Sequence, residues 1–412
     1  MTELGNVVVV GASLAGVRAC ETLRTKGYTG AITLVGAERH LPYDRPPLSK
    51  QVLAGAWTPE QIELRRPDQI AELGLTLRLG EAATALDTSA RTITLADGST
   101  LAYDGLIIAT GASVRRLPDQ PAITGLHDLR TLDDSLALRD ALADGTPRVV
   151  VIGAGFIGLE VAATARGKGL DVTVLEGAAA PLIRGLGPEM GGLVARGLHE
   201  PRGVAIRCGV NVVGIEGTDR VTGVRLGDGE VVPADVVVVG IGVVPNTAWL
   251  EGSGLELRDG VVCDETLWTG APGVYAAGDC ARWTNPLFDE EARIEHWSVA
   301  AEQGAIAASN LVAVAAGEPP APYDAVPFFW SMQYDARIQF LGRAGAGDEV
   351  RVVHGDPANG KFVAIYGAGG KLHGALGVSM PKYLMPYRSL LLERMSWDDA
   401  LAYAAEQESG NG

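Results

Sequence analysis

The chain has 412 residues, too many for one hydrophobic core, so two or three domains are expected. Apolar residues make up 47% and charged residues 20%, which excludes a disordered chain. A net charge of −16 and a pI near 4.9 exclude nucleic acid and anionic membrane as general partners, though not a local basic patch.

Val7–Val10 is a β-branched run closed by glycine, the pattern of a buried parallel strand. Leu14 to Thr25 has helical spacing and ends at Lys26-Gly27, a cation followed by a C-cap glycine. "AITLVG" at 31–36 is the next strand. The same grammar returns as strand 148–152, helix 156–168 and strand 171–175, so two βαβ units give two doubly wound modules. "YDGLIIATG" at 103–111, "ADVVVVGIGVVPN" at 234–246 and "GVYAAGDCA" at 273–281 each read as a strand ending in small residues. The proline- and alanine-rich stretch at 315–327 reads as a linker. Beyond it, strand-like segments such as "ARIQFLG" and "KFVAIYG", then a helical tail, indicate a third, α+β domain.

The longest apolar run, "VVVVGIGVV" at 236–244, is about half of the ~18 residues a membrane span needs, and no basic-led signal peptide precedes the first strand. Cys20, Cys208, Cys263 and Cys280 show neither C-x-x-C nor metal-ligand spacing. Free thiols in a cytoplasmic protein, without disulfides or metal, are the expectation.

"GASLAG" at 11–16 is the dinucleotide fingerprint G-x-G-x-x-G with Ser13 in the middle place; "GAGFIG" at 153–158 is complete. The first glycine allows the tight bend, the second lets backbone approach a pyrophosphate, and the third lets helix and strand pack. Ser13 is small enough to keep that approach and can donate to phosphate. An acid ending the second strand holds ribose hydroxyls: Glu38 in the first unit and Glu176 in the second. Two sites suggest one resident cofactor and one visitor. "ATG" (Ala109, Thr110, Gly111) and Gly278-Asp279 favour FAD at the first, although Asp279 alone also fits a turn or N-cap. After Glu176 no cation occurs until Arg184, which favours NADH over NADPH.

With "LPYDRPPLSK" at 41–50, "LRTLDD" at 129–134, "RIEHWSVAAEQG" at 293–304 and "FFWSMQYD" at 328–335, these motifs run nearly the whole chain. Together they resemble the flavoprotein reductases with two dinucleotide-binding domains, specifically the ferredoxin reductases of bacterial oxygenase systems (putidaredoxin-reductase-like). The resemblance implies an α/β fold with two doubly wound dinucleotide-binding domains and a C-terminal α+β domain. The FAD domain would comprise 1–111 and 245–320, the NAD domain 112–244, and the last domain 325–412.

It also implies roles. Gly11, Ser13, Leu14, Ala15 and Gly16 would lie along the FAD pyrophosphate, Glu38 on the adenosine ribose, and Ala83 at the adenine. Arg45, Ala109, Thr110, Gly111, Arg130, Gly278 and Asp279 would complete the flavin site, with the Trp297 backbone at the pyrimidine edge and Trp330 on the flavin side. Lys50 would reach flavin N5 and pair with Glu160; these two are the catalytic candidates. Gly153, Gly155, Phe156, Ile157, Gly158, Glu160, Glu176, Gly242 and Glu295 would serve NAD. Trp57, Trp249, Trp268 and Trp283 read as core. Where the family commonly has aspartate after "FWS", this chain has Met332.

No redox cysteine pair accompanies the flavin motifs, so electrons must leave the flavin directly. The implied activity is hydride transfer from NADH to FAD, then single electrons to a [2Fe–2S] ferredoxin. That ferredoxin would serve a haem-thiolate (cytochrome P-450 type) monooxygenase or a ring-hydroxylating dioxygenase. A rubredoxin reductase, an NADH oxidase and a redox sensor similar to apoptosis-inducing factor are the alternatives. The chain would be a monomer or homodimer, with Arg65, Arg66, Arg337, Arg343, Lys382 and Arg388 as candidates for a basic dock.

Overall fold

The computed structural model describes residues 4–409. The chain forms two compact units. One holds the chain up to Asp44 with Ile62–Ser113 and Val244–Pro327; the other holds Arg45–Gln61, Val114–Val243 and the chain from Phe328 on.

The first unit is built on a five-stranded parallel sheet. Asn6–Val10 is central, with Ala31–Gly36 and then Leu75–Leu79 on one side, and Gly105–Ile108 and then Val274–Ala276 on the other. Val7, Val8 and Val9 are completely buried, which is why this run shows no alternation with polar residues. The strand order reverses at Asn6–Val10, so the crevice lies where Val10 and Ile108 end. The crossover helix Leu14–Thr25 starts there.

A second helix, Trp297–Ala316, lies so close that a Cβ on Gly304 would stand 2.2 Å from the Ala15 carbonyl oxygen. With a mean hydropathy of 1.3, this helix is by length and composition long enough to cross a bilayer. The expectation that no segment approaches that length is corrected. Its buried polar residues show what it faces. Asn310 donates to the carbonyls of Thr266 and Ala321 at 2.8 Å each, and Gln303 accepts from the Gly278 amide at 2.8 Å. It is the core helix of this unit. Trp283 is fully buried, but Trp57 and Trp268 are 40% and 38% exposed, so those two are not core.

The second unit repeats the plan. Val149–Ile152 lies between Val172–Glu176 and Val236–Val239, with Ala205–Cys208 and Leu126–Asp128 at the edges, all parallel. Its crossover helix is Phe156–Gly167. A longer helix, Ile183–His199, kinks at Gly187-Pro188, where proline removes a backbone donor and disfavours helical geometry before it. From Phe328 on, five antiparallel strands form a separate sheet, ordered Phe328–Gln333, Ala336–Gly342, Lys371–Val378, Lys361–Ala368, Glu349–Asp356. Three helices follow: Pro381–Leu384, Tyr387–Leu392 and Trp397–Ser409. The proline-rich loop belongs to this unit as well. The Ser135 hydroxyl donates to the Leu48 carbonyl at 2.7 Å, and that of Thr164 to the Ser49 carbonyl at 2.8 Å.

Candidate active site

The first glycine-rich turn leaves no room for side chains at its ends. Gly11 has φ +124, and a Cβ there would meet the Ala109 carbonyl oxygen at 1.9 Å; a Cβ on Gly16 would meet the Gly11 oxygen at 1.9 Å. Leu14 and Ala15 begin the helix beyond Ser13. Ser13 is its N-cap but makes no side-chain capping bond, and no acid occupies the first turn. The amides and positive dipole end are therefore left for an anion. Glu38 accepts a hydrogen bond from the buried Tyr43 hydroxyl, which fixes the carboxylate. Ala83 opens a neighbouring strand of the same unit.

The Ala109–Gly111 turn is clamped by Asn246. Its Nδ2 donates to the Thr110 carbonyl at 2.9 Å, its own carbonyl accepts from the Thr110 hydroxyl at 2.8 Å, and its amide donates to the Gly111 oxygen at 2.9 Å. Gly278 (φ +76) packs on Ala15, and the Gln303 oxygen holds its amide, while Gln303 Nε2 is buried without an acceptor among the described residues. Arg293 donates to the Asp279 carbonyl at 3.0 Å and pairs with Glu295 at 2.8 Å, so Glu295 belongs beside Asp279 in the first unit. Trp297 donates to Asp44 Oδ1 at 2.6 Å. A cradle that a Cβ would fill, an uncapped helix start and an orphaned buried amide fit a bound dinucleotide such as FAD.

The second turn has the same build. A Cβ on Gly153 (φ +103) would meet the Gly240 oxygen at 2.3 Å, and one on Gly158 the Gly153 oxygen at 2.1 Å, whereas nothing lies within 4 Å of a Cβ on Gly155. Glu176 is tied to this turn: it accepts from the Ala154 amide at 2.6 Å and the Ala178 amide at 2.8 Å. Each oxygen keeps a lone pair for a ribose hydroxyl. Arg184 lies against Gly242, 3.3 Å from where a Cβ would stand. Phe156 packs edge-on to Phe329 with ring centroids 4.8 Å apart, and Ile157 is 43% exposed. This turn fits NAD(H) as the first fits FAD.

Lys50 and Glu160, 110 residues apart, form an ion pair of 2.6 Å with both side chains largely buried. Glu160 also accepts from Ser49 at 2.5 Å and from Ser331 at 2.6 Å. Arg45 donates to the Arg130 carbonyl at 2.7 Å, which fixes the start of the proline-rich loop. Trp330 stacks near Phe328, with centroids 6.0 Å apart. Met332 is 36% exposed and stands opposite Arg337 in the sheet.

Sequence reasoning passed over Tyr43, Ser49, Arg293, Gln303 and Ser331, although each lies inside a motif it had singled out; it also passed over Asn246, next to Pro245. Of the candidate docking cations, Arg65 pairs with Glu21 and Arg66 with Asp68, both in the first unit. Burial pushes the Cys20 thiol up to about 12, and it raises Cys263 and Cys280 as well. None is a thiolate near neutral pH. Among the described residues no group of three or more His, Cys, Asp or Glu is placed to hold a metal.

Residues 5–304 match the family described as Pyridine nucleotide-disulphide oxidoreductase, and residues 328–408 match Reductase C-terminal. The chain belongs to the pyridine nucleotide-disulphide oxidoreductase family. It is 42% identical to the ferredoxin–NAD(+) reductase component of an anthranilate 1,2-dioxygenase system from Burkholderia cepacia, over 88% of this chain and 87% of that one. It is 38% identical to putidaredoxin reductase from Pseudomonas putida, over 96% and 93%. Among solved structures, the covalent putidaredoxin reductase–putidaredoxin complex superposes with a TM-score of 0.89 at 36% identity, covering 95% of this chain and 93% of the other. The family uses FAD and NAD(H).

Proposed function

We propose that the chain is an NADH-dependent ferredoxin reductase that supplies single electrons to an oxygenase through a [2Fe–2S] ferredoxin. The observation that carries this is the presence of two nucleotide turns, each with its own ribose acid, in a chain whose thiols near the first turn are buried and protonated. With no thiol relay, electrons pass from flavin to carrier directly. The relatives bearing this architecture are named as ferredoxin reductases, and a structural counterpart is joined to its ferredoxin. The balance is NADH plus two oxidised ferredoxins giving NAD+, a proton and two reduced ferredoxins.

Bound FAD supplies the conversion of a two-electron hydride donor into two one-electron transfers. The chain's own residues bind and orient. The amides at Ser13–Gly16 would hold the FAD pyrophosphate, and Glu38, fixed by Tyr43, would take its ribose hydroxyls. Ala83, Arg45, Arg130, Ala109–Gly111, Gly278, Asp279, Trp297 and Trp330 are assigned to the remaining flavin contacts. Gly153–Gly158 and Glu176 would hold the NADH pyrophosphate and ribose, with Phe156, Ile157 and Gly242 of the same unit assigned to NADH, and Glu295 of the first unit assigned to it as well. Lys50, tethered by Glu160, places a cation for hydride transfer. We assign 114–243 as the NAD domain and the chain from Phe328 as a separate domain within the second unit, and place the protein in the cytoplasm.

The purified protein should show a flavin spectrum that NADH bleaches, and cytochrome c reduction should require added [2Fe–2S] ferredoxin. A colourless protein that takes up no flavin would end the proposal; turnover with rubredoxin but not ferredoxin would change the acceptor. Lys50→Ala should slow flavin reduction while leaving FAD bound, read by stopped flow.

A further inference from the structure

The Lys50–Glu160 pair is one end of a longer hydrogen-bonded chain, all of it inside the second unit. Ser331, which donates to Glu160 Oε1, accepts from Gln333 Nε2 at 3.1 Å. The Gln333 oxygen lies 2.9 Å from His199 Nε2, and the Tyr334 hydroxyl lies 3.2 Å from His199 Nδ1. With its NH2 turned to Ser331, Gln333 offers His199 only an acceptor. Nε2 therefore carries the imidazole proton, and Nδ1 accepts from Tyr334. Every donor points one way, from Tyr334 toward the Glu160 carboxylate.

His199 and Gln333 are 0% exposed and Ser331 1%, so an unpaired polar atom here would be costly, and apolar side chains would fill the space more cheaply. Burial holds the imidazole neutral, which suits it to a single donated proton; the Gln333 hydrogen bond opposes that shift, and the nearby Arg202 guanidinium supports it. The far end is held in an unusual geometry. Tyr334 sits at the hairpin tip with φ +54, a left-handed conformation that glycine or asparagine normally takes. Its ring lies edge-on to His199 at 5.1 Å and under Arg202 at 4.5 Å, while Arg202 pairs with Asp335 at 2.7 Å.

We propose that Gln333 and His199 are positioning residues for hydride transfer: acting through Ser331, they hold the Glu160 carboxylate where it fixes Lys50. This rests on the reading of Lys50 as the cation that serves the flavin. The chain orients groups and does not conduct protons, because the Gln333 amide would have to pass through an imidic acid to do so.

The test measures the FAD-loaded enzyme in two ways: flavin reduction by NADH in stopped flow, and the flavin midpoint potential. The variants are Lys50→Ala, Gln333→Met, His199→Phe and His199→Gln. Gln333→Met and His199→Phe should lower the limiting reduction rate about fivefold with half-saturation by NADH unchanged, the factor expected for one neutral hydrogen bond of about 1 kcal/mol. Both should move the potential in the same direction as Lys50→Ala, by less. His199→Gln should recover the rate, since its amide can donate to Gln333. Wild-type rate and potential in Gln333→Met, or equal loss in His199→Gln and His199→Phe, would overturn the inference. Should Gln333→Met fail to fold, Ser331→Ala breaks the same chain and is read identically. If Lys50→Ala alone changes neither quantity, the assignment of Lys50 falls, and the inference with it.

Discussion

The two nucleotide turns are alike where the protein needs them alike and differ where only a ligand can feel the difference. The first and last glycines of both are fixed by backbone: added Cβ atoms would stand 1.9 and 1.9 Å from carbonyl oxygens in one turn and 2.3 and 2.1 Å in the other. The middle residue is under no such constraint. Ser13 has φ −128 and Gly155 φ −77, both ordinary extended backbone, and nothing crowds a Cβ at Gly155. The acids diverge as well. Glu38 is held by a side chain, Tyr43, whereas Glu176 is held by two backbone amides, that of Ala154 in its turn and that of Ala178 just beyond its own strand. The fingerprint therefore mixes two requirements, fold at its ends and ligand approach at its centre, and only the former is common to both sites.

The largest expected effects come from breaking the shared part. Gly16→Ala and Gly158→Ala each force backbone apart, at a cost of about 3 kcal/mol or more. Gly16→Ala should yield protein without flavin. Gly158→Ala should remain yellow but resist reduction by NADH. The flavin-to-protein absorbance ratio and an anaerobic NADH titration separate the two, and identical behaviour of both variants would mean that the sites are not divided between two nucleotides.

Acid should weaken both units through enclosed or partly enclosed histidines. Enclosure lowers His296 to about 4, with Asp279 opposing the shift, and burial also lowers His127 and His199 in the second unit. An unfolded histidine takes a proton below about pH 6.5, whereas the folded His296 refuses it until about pH 4. Stability is therefore lost as pH falls through that window, by at most about 3 kcal/mol from His296, and less because part of the residue remains at the surface. Thermal unfolding between pH 7 and about pH 4 should show the decline, and His296→Gln should flatten it.

Glu176→Arg tests the difference between the acids. It removes the acceptor of two amides and puts a cation where a carboxylate stood. The expected loss is about 2 kcal/mol in kcat/KM for NADH, with a relative gain for NADPH. A wild type that already prefers NADPH would contradict the assignment.

The two βαβ units were legible because their signals are local: a β-branched run, a glycine turn and a helix within thirty residues. The helix Leu14–Thr25 and the strand Ala31–Gly36 have the bounds read from sequence. What could not be read depends on long-range packing. Ser49, Glu160 and Ser331 meet across separations of 111 and 171 residues, and no periodicity encodes that meeting. The His199–Gln333 contact is of the same kind. The Trp297–Ala316 helix was missed as an apolar segment because Glu302, Gln303 and Asn310 interrupt it, and only the fold shows Gln303 and Asn310 bonded inside a core. Trp57 and Trp268 show the converse, since residue type alone did not tell exposed tryptophans from buried ones.

The smallest expected effect is the most discriminating for the comparison. Gly155→Ser gives the second turn the middle residue of the first. The backbone there needs no glycine and a Cβ meets nothing, so the change in stability should stay within about 0.5 kcal/mol. If the middle position serves ligand approach alone, the melting temperature should not move, and NADH should bind a few-fold more weakly. Ser13→Gly should likewise leave FAD bound. A marked loss of stability in Gly155→Ser would show that the middle glycine carries a folding requirement after all, and that the two turns differ in backbone as well as in ligand.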